Sequence, residues 1–297
     1  MFSVNSEFAA LKLVIIGIGA PYQPDKTLAG SNLAEYPFIP DTDRKAEVLA
    51  LEYPTEALLL EEFKGFATIL TNHGVEVLFA DPGAAYSIDY TCPRDIGFVI
   101  GQQFFIANMA VASRADEYKT IEPIIQGLQT LPTVRPPPGA LLEGGDVVLL
   151  DQKTVLVGHN QRSNLAGAEY LQHLLANDGI TVVPVKHRQL HLDCCLNPLG
   201  RGHMLIHPES LDDIPDATWQ LLQQYQWIEV DTIEREHLAT NVLSINPQTL
   251  VARDHPACSR VNESIERLGY TVITTGFDGV PATGGSFRCA TLPLQRV

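Results

Sequence analysis

Short runs of apolar, β-branched residues alternate with longer amphipathic stretches along the whole chain. LKLVIIGI, VEVLFA, GFVIG with FFIANM, DVVLL with TVLVG, TVVPV, CCLNPLG with HMLIHP, NVLSI with TLVAR, and YTVITTGF have the length and composition of strands. Between them, PTEALLLEEFKGFATILTNHG, SRADEYKTIEPIIQGLQT, SNLAGAEYLQHLLANDG, DDIPDATWQLLQQY and ACSRVNESIERLG read as helices. Several of these open on Ser, Thr or Asp in an N-cap position, and three stop at a glycine suited to C′.

The order of these elements repeats. Two closely spaced strands joined by a short turn (GQQ, DQK, GRG or NPQ) precede a helix and then a single strand. The unit recurs over residues 95–136, 144–185, 193–230 and 240–275. The opening strand, the helix from Pro54 and the strand from Val75 to Ala80 make the rest of a fifth unit, closed by residues 284–294. A period near ~40 residues signals a closed array, solenoid or propeller. Because C-terminal strands complete the N-terminal unit, the pattern predicts an α/β ring of five ββαβ units in one domain spanning 1–297. The segment from Gly19 to Leu51 is long for a connection, and we expect it to cover the ring's centre.

Composition changes this picture little: 45% hydrophobic and 19% charged residues suit a soluble globular protein. Charge changes it more. A net charge of −15 argues against nucleic acid or an anionic membrane surface as a partner and is compatible with a small cationic substrate. No stretch is apolar for the ~18 residues a membrane helix needs. Glu7 precedes the first apolar run, which lacks the basic start of a secretory signal, so the cytoplasm is the expected compartment. Five cysteines, an odd and sparse set, do not read as a disulfide framework.

Candidate chemistry sits at the strand starts. In GGSFRCATLPLQRV, Cys289 follows paired glycines that let a loop approach a ligand; it is either a buried packing thiol or a nucleophile. In PRDIGFVIG, Asp95 is a cap or a site carboxylate. In LLEGGDVVLL, Glu143 and Asp146 flank two glycines, as an ordinary turn or as a carboxylate pair able to hold a planar cation. In LHLDCCLNPLG, His191 and Asp193 lie two apart, which on a strand puts them on one face, an imidazole beside a carboxylate. A metal bound by His191, Asp193, Cys194 and Cys195 is the rival, but the spacing matches no zinc pattern. Arg162 and Arg114 each stand at the mouth of a helix, either as surface residues or as receptors for a substrate carboxylate. GIGAPY lacks the third glycine of a dinucleotide turn and carries Pro21 where the helix should start, so no nicotinamide cofactor is expected.

Taken in order, RD, EGGD, R, HLD, NVL and GGSxxC resemble the guanidine-modifying (pentein) superfamily, which includes arginine deiminases, dimethylarginine dimethylaminohydrolases and amidinotransferases. The resemblance runs from LVIIG to RCATLPL. It implies a five-bladed, pseudo-fivefold propeller and a covalent amidino-cysteine intermediate formed without cofactor or metal. It also implies roles: Cys289 as nucleophile, His191 as general acid/base, Glu143 and Asp95 as the guanidinium clamp, Asp193 as supporting acid, and Arg162, with Arg114 and Asp146, in substrate binding. Compact length and the EGGD motif favour a hydrolase of arginine-like amidines. The CPRDIGFVIG and GGSFRCATLPLQR segments also look like amidinotransferase versions, and a non-enzymatic binding protein is the third reading. A homodimer is compatible with all three.

Overall fold

The computed structural model describes residues 2–19, 54–81, 90–128 and 131–297, so the expected covering segment of residues 19–51 lies almost wholly outside the described residues. Five small sheets carry the described chain. Strands β5 (Val147–Leu149) and β6 (Thr154–His159) pair antiparallel, and β6 pairs parallel with β7 (Thr181–Lys186). The same order and directions recur in β8 (Leu196–Gly200), β9 (His203–Ile206) and β10 (Gln226–Glu229). They recur again in β11 (Leu243–Asn246), β12 (Thr249–Arg253) and β13 (Thr271–Thr275).

The N- and C-termini share a sheet, as the repeat predicts. β14 (Thr291–Arg296) runs antiparallel to β1 (Leu11–Ile16), which is parallel to β2 (Glu76–Phe79). The remaining sheet holds only β3 (Gly97–Ile100) and β4 (Gln103–Ile106). Its third strand is reduced to a parallel bridge between Phe105 and Val134, with Ile106 N–H bonded to Val134 O at 2.7 Å. Pro132 and Pro136–Pro138 flank that bridge, and proline has no N–H to extend a ladder. The five sheets remain separate; hydrogen bonding does not close them into one.

The joining helices follow their caps. Helix α1 (Glu56–Asn72) starts at Thr55, whose Oγ1 accepts the Leu58 N–H at 3.3 Å, and ends before Gly74 at φ 76°. Leu59, Phe63, Phe66 and Leu70, spaced four, three and four, form its buried face against Phe277 and Phe287. Asn164 caps the next, α2 (Leu165–Leu175), and buries Leu171 and Leu175. The predicted helix over SRADEYKTIEPIIQGLQT is broken into short 3-10 turns and one stretch at Glu122–Leu128. There Arg114 and Glu117 turn inward to a buried ion pair rather than presenting an amphipathic face.

Candidate active site

Each sheet's edge strand that runs antiparallel to its middle strand is entered through a tight turn, and the candidate residues lie on those turns. Asp95 precedes β3, Glu143 and Asp146 precede β5, His191 and Asp193 precede β8, and Cys289 precedes β14. The turns are stitched together through the backbone: Gly144 N–H donates to Asp95 O at 3.0 Å, and Arg94 N–H to Cys289 O at 3.2 Å.

Two glycines of EGGD are dictated by that closeness. A Cβ on Gly144 would meet Arg94 O at 2.1 Å, and one on Gly145 would meet the His191 ring at 2.6 Å and Asp95 Oδ1 at 2.9 Å. Gly145→Ala should therefore displace the imidazole. We expect a soluble protein whose turnover falls far more than its thermal stability, checked by comparing kcat/KM with Tm. Gly285 backs Cys289 in the same way, with a would-be Cβ 2.5 Å from Cys92 Sγ and 2.9 Å from Cys289 Cβ, and Gly284 holds φ 101°.

His191 is the hub. It is 1% exposed, with Nε2 2.9 Å from Glu143 Oε2 and Nδ1 3.6 Å from Asp95 Oδ1. Burial alone would push its pKa down, but Asp95, the Glu143 hydrogen bond and Asp146 outweigh it and raise it to about 10. Glu143, 0% exposed, accepts from Ala110 N–H (2.9 Å) and Arg162 Nε (3.1 Å) on Oε1, with Arg162 Nη2 2.9 Å from Oε2. Burial opposes its charge, but Arg162 and His191 prevail and hold it down at about 2. With His191 added, these contacts fill its lone-pair directions. Asp95 differs. Its Oδ2 accepts from Arg114 Nη1 at 2.8 Å, while its buried Oδ1 has no hydrogen-bond partner among the described residues. Burial raises its pKa against the pull of His191 and Arg114.

These contacts revise several sequence expectations. His191 and Asp193 do not share a strand face: His191 caps a 3-10 turn over Leu192–Cys194, so the two-residue rule does not apply, and the imidazole is oriented by Glu143. Asp193 instead binds Arg288 Nη1 at 2.5 Å and lies 3.5 Å from Cys289 Sγ. Burial and the Cys289 charge raise its pKa to about 8, against Arg288 and His191. Asp146 is no partner of Glu143 in a clamp. Its Oδ1 takes His187 Nε2 (2.9 Å) and Leu192 N–H (2.8 Å), pinning the turn that carries His191. Arg162 and Arg114 are not surface residues; both are buried against the site carboxylates Glu143 and Asp95, and Arg114 also grips Glu117.

Cys289 is 2% exposed. Its pKa is held well below the ordinary thiol range, by hydrogen bonds from the Cys194 and Cys92 thiols first and by the His191 charge, against burial. Cys194 is correspondingly pushed up, by its bond to Cys289 first, and keeps its proton. Cys194 also lies 3.6 Å from Asp193 Oδ1. Cys92 and Cys194 thus both act on the Cys289 thiol. No group of three or more His, Cys, Asp or Glu among the described residues is arranged to hold a metal, and no helix there is long and apolar enough to cross a membrane.

Sequence reasoning missed three groups. Arg288 joins Asp193 to Glu7 (Nη2 to Oε1, 2.9 Å), and Glu7 is held down at about 2, by Arg288 and Arg94 against burial. Arg94 Nε donates to Arg288 O at 3.3 Å. Asn241, from the NVL motif, contacts Cys289 directly. Asn241 and Arg94 had a signal, since each lies in a motif, NVL or RD, that stands before a strand as the other site motifs do.

A sequence profile of the family described as "N,N dimethylarginine dimethylhydrolase, eukaryotic" matches residues 44–296. The chain belongs to that family. It lies within the guanidine-modifying pentein superfamily, and its homologues include arginine deiminases and amidinotransferases, enzymes acting on amidines. An uncharacterized protein of Bacillus subtilis, YkgA, is 35% identical over 231 residues, covering 76% of this chain and 77% of that one. The fold is shared with the amidinotransferase SxtG of Microseira wollei, at TM-score 0.76 and 21% identity over 99% of this chain and 97% of that one. It is also shared with a dimethylarginine dimethylaminohydrolase from Pseudomonas aeruginosa complexed with citrulline, at TM-score 0.72 and 20% identity over 96% and 99%.

Proposed function

We propose that the chain is a single catalytic domain, its five sheets set as blades around one axis, that cleaves a C–N bond at the guanidino carbon of arginine or a substituted arginine. The observation that carries this reading is one buried centre where a thiolate-prone Cys289, a cationic His191 and an Asp95 carboxylate oxygen with no hydrogen-bond partner among the described residues are held by backbone-linked turns.

The substrate guanidinium donates to Asp95 Oδ1, which burial leaves without another partner. A guanidinium carbon is a poor electrophile, so orientation and desolvation beside a thiolate do most of the work. The Cys289 Sγ lone pair forms the S–C bond. The C–N bond to the leaving amine then breaks as that nitrogen takes a proton from His191, leaving an amidino-cysteine and a neutral imidazole. Glu143 keeps the ring aligned throughout. Neutral His191 next removes a proton from water, whose oxygen attacks the carbon and releases Cys289 and the urea-type product. When the leaving amine is the substrate's own side-chain nitrogen and an acceptor amine takes the water's place, the reaction is an amidino transfer. The near-complete coverage of both chains by the SxtG likeness, and 25% identity to an inosamine-phosphate amidinotransferase over 100% of this chain, favour keeping that second reading.

Incubation with arginine, methylated arginines and glycine separates them. Citrulline with ammonia or a methylamine marks the hydrolase; ornithine with guanidinoacetate marks the transferase. A binding protein without catalysis would yield neither.

Asp95→Asn should weaken binding of cationic guanidines by about tenfold or more, since a charge-assisted bond contributes roughly 1.5–3 kcal/mol. Binding of the neutral urea product should change much less. Equal losses for the two ligands in calorimetric titration would remove Asp95 from the clamp.

A further inference from the structure

Five turns occupy equivalent places in the five sheets, each closed by an i to i+3 backbone bond just before the strand antiparallel to its sheet's middle strand. The bonds are Asp95 N to Cys92 O (3.3 Å), Asp146 N to Glu143 O (3.1 Å), Cys194 N to His191 O (3.2 Å), Asn241 N to Leu238 O (2.9 Å) and Thr291 N to Arg288 O (3.1 Å). Four of these turns carry Asp95, Glu143, His191 and Cys289. The turn before β11 carries Asn241, which is 0% exposed.

The orientation of this amide is dictated by its neighbours. Its Oδ1 accepts the backbone N–H groups of Ser286 (3.2 Å) and Cys289 (3.0 Å), so an oxygen must stand at that end. The NH2 end therefore faces the other way, donating to Cys289 Sγ at 3.1 Å and to Asp193 O at 3.3 Å. All four hydrogen-bonding positions of the side chain are used. A residue that only capped the 286–289 turn would need the oxygen alone.

We propose that Asn241 is a catalytic residue whose Nδ2–H stabilises the Cys289 sulfur as a thiolate and aims it at the substrate carbon. This rests on the reading of Cys289 as the nucleophile. The sulfur is faced by Asp95 and Asp193, whose charges oppose a thiolate, and by His191, Arg94 and Arg288, whose charges favour it. The Cys92 and Cys194 thiols and the Ser286 backbone N–H also face it. Asn241, like the Ser286 backbone N–H, carries no charge and does not titrate, so its contribution persists at every working pH, and of these two donors it is the side chain that substitution can remove. A donor bonds a thiolate more strongly than a thiol, which lowers the pKa of the S–H. As the S–C bond forms, the sulfur loses charge and the bond weakens. Part of the stabilisation is thus in the ground state, and the effect falls on thiolate fraction and aim more than on the barrier itself.

The test is the rate of Cys289 alkylation by iodoacetamide against pH, read by mass spectrometry at the peptide containing Cys289. Asn241→Asp keeps the shape and the Oδ1 acceptor but replaces the donor with an oxygen. Asn241→Ser is the second variant, should the added carboxylate prevent folding. In either, the midpoint should rise by about one pH unit, with alkylation below both midpoints about tenfold slower. Thr240→Ala removes the neighbouring Thr240 Oγ1–Cys194 O bond (2.8 Å) without touching Cys289 and should leave the midpoint in place. An unchanged midpoint in a folded Asn241 variant, or an equal rise in Thr240→Ala, overturns the proposal. Alkylation needs no turnover, so failure of the proposed reaction would be seen separately, as full activity in Cys289→Ser.

Discussion

Cys289→Ser is expected to lose turnover by a factor on the order of 10⁴ or more, while retaining the fold and substrate affinity within a few-fold. The scale is that of removing a nucleophile from a site whose other members act only through it. Serine is close in size, so the packing against Gly285 and Cys92 is kept. What it lacks is acidity. The surroundings that hold the Cys289 thiol well below its ordinary range cannot bring a hydroxyl to the same state at neutral pH. The other cysteines should behave differently. The Cys258 thiol bonds the His237 carbonyl and the Cys195 thiol the Leu192 carbonyl, neither a group of the candidate chemistry, so their alanine variants should stay active. Cys194→Ala and Cys92→Ala remove thiol donors to Cys289 and should slow turnover without ending it. Steady-state rates of the five single variants check the ranking.

His191→Gln is the second large effect. Turnover should fall by about 10²–10⁴-fold, the usual range for a positioned acid–base group, while Cys289 remains open to alkylation. The charge on His191 has a thermodynamic signature as well. Its folded pKa of about 10 lies above the ordinary histidine value of 6.5. A basic group raised on folding contributes stability that is fully present below 6.5 and lost as pH rises through 10. The urea-midpoint difference between wild type and His191→Gln should therefore shrink between pH 6.5 and pH 10. A difference constant across that window would mean that the fold holds a neutral imidazole, and the leaving amine would need another proton donor.

The repeat of strand pairs and helices was legible because its signals are local: apolar runs, short turns and caps. It named five units, and five sheets with one pattern of strand directions are present, one of them cut short by prolines that the sequence already displayed. The turns bearing Asp95, Glu143, His191 and Cys289 were legible for the same reason. The partnerships were not. The spacing of His191 and Asp193 suggested a shared strand face, but a 3-10 turn rotates them apart, and Glu143, 48 residues away, takes the imidazole. Arg162 and Arg114 looked like free receptors because nothing local shows that each folds back onto a carboxylate of the site. Glu7 and Arg288, 281 residues apart, meet only because the terminal strands share one sheet. Long-range pairing of charges is a property of the assembled fold, and no window of sequence contains it.

Intact-mass spectrometry of enzyme quenched in acid during turnover tests covalent catalysis at Cys289 most directly. The account predicts one substrate-derived adduct on the wild-type chain, mapping to the peptide that holds Cys289, present with arginine-type substrates and absent from Cys289→Ser under the same quench. The adduct is an amidino group that still carries the substrate's side chain when ammonia or a methylamine leaves, and a bare amidino group when the side-chain amine leaves. Turnover with no adduct at any quench time and an active Cys289→Ser, or the same added mass on another residue, would contradict it.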